Sequence, residues 1–137
     1  MKNILFDSDV ILDFYLDRMP YCDTTAILLS MCETKQIKGY ITPLAMSNIF
    51  YLLRKIGKKE DVIIRLNQLI SIMDIIDMNI KIVLTSLHSD FTDFEDALQN
   101  YAAEYSNKIS IIITRNKKDY KHSKLTVLTP TEFLNTF

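Results

Sequence analysis

Two short apolar runs, Asn3 to Phe6 and Ser110 to Thr114, the second built on three consecutive isoleucines, stop abruptly on polar side chains. A strand that is apolar throughout is covered on both faces, the pattern of a parallel sheet packed between helices. The first run stops on Asp7, and the second leads into Arg115-Asn116-Lys117-Lys118-Asp119-Tyr120. In open α/β sheets ligands bind beyond the carboxyl ends of the strands, so Asp7 is expected at the rim of such a crevice. An isolated Asp after a strand can equally cap the helix that follows.

Helical periodicities fill the space between these runs. Val10, Ile11, Phe14 and Tyr15 fit a short helix broken at Asp17-Arg18-Met19-Pro20. A second helix is expected from about Asp23 to Lys35, ended by Lys38-Gly39 before a strand at Tyr40-Ile41-Thr42. Thr42-Pro43 is a strong start for a third helix reaching about Lys55, and after Gly57 a fourth runs from Glu60 to Met73. Ile75 to Met78 is a strand candidate, Ile80 to Leu87 a helix, and Asp93-Phe94-Glu95-Asp96-Ala97-Leu98 opens a sixth. Leu125 to Leu128 reads as a last strand, and Thr129-Pro130-Thr131-Glu132 as a capping box launching a final helix. This alternation predicts a three-layer α/β/α sandwich around a central, mostly parallel sheet of about five strands, with right-handed crossovers.

A chain of 137 residues is expected to form a single domain over 1–137 with a sizeable core. Two glycines and three prolines argue against linkers or low-complexity tails. At a net charge of −1, any nucleic-acid contact must come from a local basic patch. Cys22 and Cys32 lie in one expected helix, too far apart to bridge, which suggests buried free thiols in a reducing compartment. No segment approaches the ~18 apolar residues needed to span a membrane, so no membrane association is expected and the cytoplasm is the default location.

Three places share one description, a polar or acidic side chain just after a buried strand or at the opening of a helix: Asp7, Asp96 and the pair Asn116 and Asp119. Asn48 adds a fourth, on helix three with Leu44 and Leu52 on neighbouring turns, where a polar side chain interrupts an otherwise apolar stripe. Carboxylates converging there would repel one another by roughly 4 kcal/mol per pair at ~4 Å in an effective dielectric near 20. A hard divalent cation with oxygen ligands relieves that repulsion, and Mg²⁺ or Mn²⁺ is the usual choice where phosphates are handled.

Taken in order, these pieces resemble a PIN domain, the fold of the VapC-type toxin nucleases. The resemblance runs from Ile4-Leu5-Phe6-Asp7-Ser8-Asp9-Val10 through Arg18-Met19-Pro20-Tyr21, the Thr42-Pro43 helix and Asp93-Phe94-Glu95-Asp96-Ala97-Leu98 to Ile113-Thr114-Arg115-Asn116-Lys117-Lys118-Asp119-Tyr120. It implies that Asp7 is the first metal-binding acid, Asp96 the third, and Asn116 with Asp119 the last acidic region. It also implies Mg²⁺- or Mn²⁺-dependent cleavage of single-stranded RNA by a metal-activated water, with Asp7, Asp96 and Asp119 as catalytic acids. Ser8, Asp9, Asn48 and Asp93 would support them. A cognate antitoxin and a homodimer are implied as well.

The chain departs from the family pattern twice. Asn48 stands where a glutamate is usual, keeping an oxygen ligand but losing a charge, which implies weaker metal binding and a weaker or conditional nuclease. Asp9 stands where asparagine is common, and it would restore that charge only by pointing into the cleft from a helix start, where directions diverge.

Other readings compete at several residues. Asp93 and Glu95 suit a helix cap and a solvated first-turn acid, and Asn116 and Asp119 suit a tight turn. Arg115, Lys117 and Lys118, with Lys121 and Lys124, would neutralise RNA phosphates while Tyr120 stacks a base; ordinarily such a run is a solvated loop. Arg54, Lys55, Lys58 and Lys59 form a second basic run, and His88 and His122 are too scattered to be ligands. Asp7-Ser8-Asp9 also resembles the opening motif of haloacid-dehalogenase-like phosphatases, although the chain is short for that fold and lacks a later glycine-aspartate loop. A non-catalytic PIN fold that binds RNA or protein is the other alternative, carried by Asn48.

Overall fold

The computed structural model describes residues 1–137. Five strands, β1 (Lys2–Phe6), β2 (Ile37–Ile41), β3 (Met73–Ile75), β4 (Ile111–Ile113) and β5 (Thr126–Leu128), form one sheet in the order β3-β2-β1-β4-β5, every neighbouring pair parallel. Seven α-helices connect them: α1 (Ser8–Tyr15), α2 (Tyr21–Glu33), α3 (Pro43–Arg54), α4 (Lys59–Ile72), α5 (Ile80–Leu87), α6 (Phe94–Ser106) and α7 (Pro130–Leu134). A 3₁₀ turn over Lys117–Tyr120 follows β4.

The two-residue period of the strands sorts their side chains into two cores. Ile4, Phe6, Ile37, Ile41, Ile111 and Ile113 pack on one face against α1, α2, α3, α4 and Phe133 of α7. Leu5, Tyr40 and Ile112 pack on the other with Ile82 of α5 and Ala102 and Ala103 of α6. Helices therefore cover both faces, the expected three-layer α/β architecture.

Three element boundaries differ from the sequence reading. Strand β2 begins at Ile37 rather than Tyr40, and Gly39 lies inside it. A side chain at Gly39 would put its Cβ 2.8 Å from Cys32 Sγ and 3.1 Å from Phe6 Cε2, so this glycine lets α2 lie close on the strand and does not terminate the helix. Helix α2 starts at Tyr21, immediately after Pro20. Strand β3 is Met73–Ile75 and not Ile75 to Met78, because α4 runs straight into it and its register against Gly39–Ile41 uses Met73 first. Asn79 then accepts from Ile82 N at 3.1 Å and caps α5. Both cysteines are free, but only Cys32 is buried as expected, Cys22 at the start of α2 being half-buried, and no helix is long and apolar enough to cross a membrane.

The site is placed by the order of the strands. The chain builds outward from β1 to β2 and β3 on one side, then crosses to add β4 and β5 on the other. The switch point lies between β1 and β4, where crevices form at the carboxyl ends of strands. Phe6 is paired with Ile113, so the next residues, Asp7 and Thr114, are neighbours at that end.

Candidate active site

Asp7 occupies the N-cap position of α1 yet makes no side-chain capping bond. Its oxygens are held from elsewhere: Thr114 Oγ1 donates to Oδ2 at 2.8 Å, and Gln99 Nε2 donates to Oδ1 at 3.2 Å. Its own amide donates to Ile113 O at 3.0 Å, fixing the backbone to β4. The capping alternative for this side chain therefore falls. Burial pushes the Asp7 carboxyl above its ordinary range and nearby Asp9 adds to that, while the Thr114 and Gln99 hydrogen bonds oppose it.

Helix α6 supplies the second wall, with its chemistry spaced one turn at a time. Asp93 accepts from Asp96 N at 3.0 Å, so it is the cap that the sequence allowed, and it also lines the cleft. Asp96 follows on the same face, and Gln99 comes three residues later. Burial, then the proximity of Asp7, Asp93 and Asp119, pushes Asp96 up to about 7. Gln99 is a hub: it accepts from Thr42 Oγ1 at 3.0 Å and donates to Asp7 and, at 3.3 Å, to Tyr120 Oη. The Tyr120 hydroxyl also lies near the Asp96 carboxyl.

This network corrects the expectation for Tyr120. Its side chain is 2% exposed, packed in the second core, with the hydroxyl turned inward, so it has no face to offer an unpaired base. The 3₁₀ turn swings the ring under the sheet while Asn116 and Asp119 stay exposed on its outer side.

A cleft of about 410 Å³ gathers the carboxylates of Asp7, Asp9, Asp93, Glu95, Asp96 and Asp119. Ser8, Asn48, Gln99 and Asn116 line it as well. Asp9, expected to diverge, faces the same space, because the first turn of α1 opens directly onto the switch point. Glu95, read as a solvated acid, lines the cleft too, and Asn48 Nδ2 donates to its Oε2 at 3.3 Å. Asn48 does not interrupt the apolar stripe of α3: Ala45, Ile49 and Leu53 form the buried face, and Asn48 lies beside it at the cleft wall.

The donors around this cleft are oxygens only. No three His, Cys, Asp or Glu side chains stand close enough together to form a ready cage for an ion. Mg²⁺ needs no such cage: it keeps several waters and is held by one or two carboxylates with substrate phosphates, which suits the open wall formed by Asp7, Asp96 and Asp119. Soft or borderline ions would want the imidazole or thiolate ligands that are missing here. The donor chemistry and the accumulated negative charge fit a hard divalent cation.

The basic run after β4 is partly committed to the fold. Arg115 Nε lies 2.8 Å from Asp13 Oδ2 and Nη2 donates to Oδ1 at 3.1 Å, while Arg18 approaches the same carboxylate at 3.4 Å. Asp13 is fully buried, so Arg115 is first a partner for that carboxylate rather than a free phosphate contact. Lys117 pairs with Glu132 at 3.1 Å across half-exposed side chains, and Lys118 is exposed. In the second run, Arg54 Nη1 donates to Gly57 O at 3.0 Å and Lys55 lies over the Tyr51 ring.

Gln99, Thr114 and Asp13 are the contributors that the residue patterns did not single out. Gln99 was detectable as a polar residue one turn beyond Asp96, and Thr114 as the polar residue that ends the second apolar run. Asp13 carries no such signal, since its closer partner, Arg115, comes from the remote segment after β4.

An all-parallel α/β fold with an acid-rich cleft at its switch point is the class that these observations define. The family model of the PIN domain matches residues 3–118, and the chain belongs to that family. A toxin-antitoxin complex from Klebsiella pneumoniae is similar in structure at 22% identity and a TM-score of 0.70, covering 93% of this chain and 97% of that one. VapBC-1 from nontypeable Haemophilus influenzae is similar at 13% identity and a TM-score of 0.69, covering 94% and 98%. VapBC2 from Rickettsia felis, bound to a DNA fragment from its promoter, is similar at 18% identity and a TM-score of 0.66, covering 92% and 96%. At these identities the likeness concerns the fold. No curated protein matches the sequence. Membership of the PIN family removes the haloacid-dehalogenase alternative.

Proposed function

We propose that the protein is a Mg²⁺- or Mn²⁺-dependent endonuclease of single-stranded RNA and the toxin of a toxin-antitoxin pair. The observation that carries this reading is the meeting of Asp7 after β1, Asp96 on α6 and Asp119 after β4 in one cleft at the switch point of the sheet. Asp7, Asp96 and Asp119, with the amide oxygen of Asn116, would hold the ion. Bound there, a divalent cation lowers the pKa of a coordinated water and stabilises charge developing on the phosphodiester.

The protein's own groups prepare that step. Thr114 and Gln99 hold the Asp7 carboxylate in one orientation. Glu95 and Asp9 bring negative charge that offsets the carboxylate missing at Asn48. Lys118, exposed beside the cleft, would neutralise an RNA phosphate. An antitoxin that placed a cationic side chain in this cleft would block it, and the toxin-antitoxin complexes among the structural neighbours support such a partner. Ile80, Leu84 and Leu87 form an exposed apolar stripe on α5 that would suit a second copy of the chain. The free thiols suit a reducing compartment such as the cytoplasm.

The test is Mn²⁺ binding by calorimetry beside cleavage of single-stranded RNA, on wild type, Asp7→Asn and Asp96→Asn. Wild type should bind Mn²⁺ and cut RNA only with the ion, and both variants should lose both properties. Asn48 favours one second reading, a non-catalytic RNA-binding PIN fold; RNA binding in EDTA with no cleavage in Mn²⁺ would establish that reading instead.

A further inference from the structure

The segment Arg18-Met19-Pro20-Tyr21 has no place in the cleft, yet it adjoins it. Arg18 and Arg115 both pair with the buried Asp13, and the Arg115 guanidinium lies 4.2 Å from the centre of the Tyr21 ring. Two guanidinium groups share this one buried carboxylate, and although Asp17 and Asp23 lie nearby around Cys22, the only charged side chain that lines the adjoining pocket is Arg115. Tyr21 is 42% exposed, so the stacked pair reaches the surface as a planar, cationic platform.

That platform forms one wall of a second pocket of about 350 Å³. Thr24, Thr129 and Thr131 bring hydroxyls to it, Asn116 an amide, and Arg115 is its one charged side chain. Asn116 also lines the acidic cleft, so the two spaces meet at that residue. An acid-filled cleft repels a polyanion, and a strand laid across it needs an anchor of opposite sign beside the point of attack. The pocket supplies that anchor together with hydroxyl and amide groups of the kind that read base edges and 2′-hydroxyls.

We propose that this pocket is the subsite for the nucleotide adjoining the one at the acidic cleft. The Tyr21–Arg115 pair stacks its base, Arg115 faces its phosphate, and the threonine hydroxyls with Asn116 contact its polar edges. The proposal rests on single-stranded RNA being the substrate. It assigns a use to Arg115 beyond its ion pair, since the guanidinium keeps one edge free when Nε and Nη2 are taken by Asp13.

The test is fluorescence anisotropy of a short fluorescein-labelled single-stranded oligoribonucleotide of mixed sequence, in EDTA and at low salt, on the full chain. Tyr21→Ala should weaken binding about tenfold or more, as expected for the loss of one stacked base. Tyr21→Phe, which keeps the ring, should restore it. Thr24→Glu places an anion in the pocket and should weaken binding comparably, while thermal unfolding reports that both folds are intact. RNA affinity unaffected by Tyr21→Ala and Thr24→Glu overturns the subsite, even where wild type cleaves RNA in Mn²⁺ and the nuclease reading stands. Affinity that depends on Tyr21 and Thr24 supports the subsite even where Mn²⁺ brings no cleavage, the result that would end the nuclease reading alone.

Discussion

Thr114 Oγ1 donates to Asp7 Oδ2 at 2.8 Å between residues 107 positions apart in the sequence. The parallel register of β1 and β4 creates this bond, since Phe6 and Ile113 pair and the chain continues one residue further on each strand. The bond partly compensates the burial of a carboxylate at the head of the cleft and sets the direction in which its free lone pairs point.

Thr114→Val removes that donor while nearly preserving shape. Loss of a buried hydrogen bond to a charged group should cost about 1–3 kcal/mol in urea unfolding. Mn²⁺ affinity should fall about 10–100-fold as the ligand loses its orientation. Unchanged affinity would show that Asp7 is oriented without Thr114.

Asp96, raised to about 7, makes the metal-free protein sensitive to pH. Its folded value lies above the 3.8 of an ordinary Asp, so between these limits the folded state binds the proton that the unfolded state has lost. Stability is therefore highest on the acid side of this window and declines as pH rises toward 7. In EDTA the Tm should drop between pH 5 and pH 8, and Mn²⁺ should restore it most at pH 8, where protons no longer compete. Asp96→Asn should flatten this slope; a slope unchanged by the substitution would assign it to another group.

Asn48→Glu would set a new carboxylate against Glu95, which Asn48 now reaches at 3.3 Å. The exposed like-charge pair should cost about 1 kcal/mol without metal. With Mn²⁺, the added ligand charge should tighten binding by about tenfold. Calorimetry and melting in EDTA measure the two effects separately, and a variant stabilised in EDTA would contradict the close approach of residue 48 to Glu95.

Asp13→Ala leaves Arg115 and Arg18 without the carboxylate that they share. Breaking a buried pair costs about 3–5 kcal/mol, reduced in this case because both arginines reach solvent, so about 2–4 kcal/mol is expected in urea unfolding. A loss below about 1 kcal/mol would mean that water replaces the carboxylate.

Gly39→Ala tests the contact of α2 with the sheet. The added Cβ would lie 2.8 Å from Cys32 Sγ, 3.1 Å from Phe6 Cε2 and 3.2 Å from Met73 Cγ. Overpacking of this kind costs about 1–3 kcal/mol, to be read as a lower Tm with no change in Mn²⁺ affinity.

The sequence by itself determined the features governed by short-range rules. The apolar runs at Ile4–Phe6 and Ile111–Ile113 specified strands covered on both faces, while Thr42-Pro43 and Thr129-Pro130 specified helix starts. The order of these elements was enough for a parallel α/β fold and for Asp7 at a strand end. Only the tertiary structure decided which side chains share a space. Asp9 faces the cleft, Tyr120 turns away from solvent, Gln99 joins Asp7 to Tyr120, and Asp13 takes Arg115 from the basic run. Each depends on strand register and on the angle at which a helix leaves the sheet. Those are set by packing summed over the whole core, and the spacing of nearby residues carries no record of them.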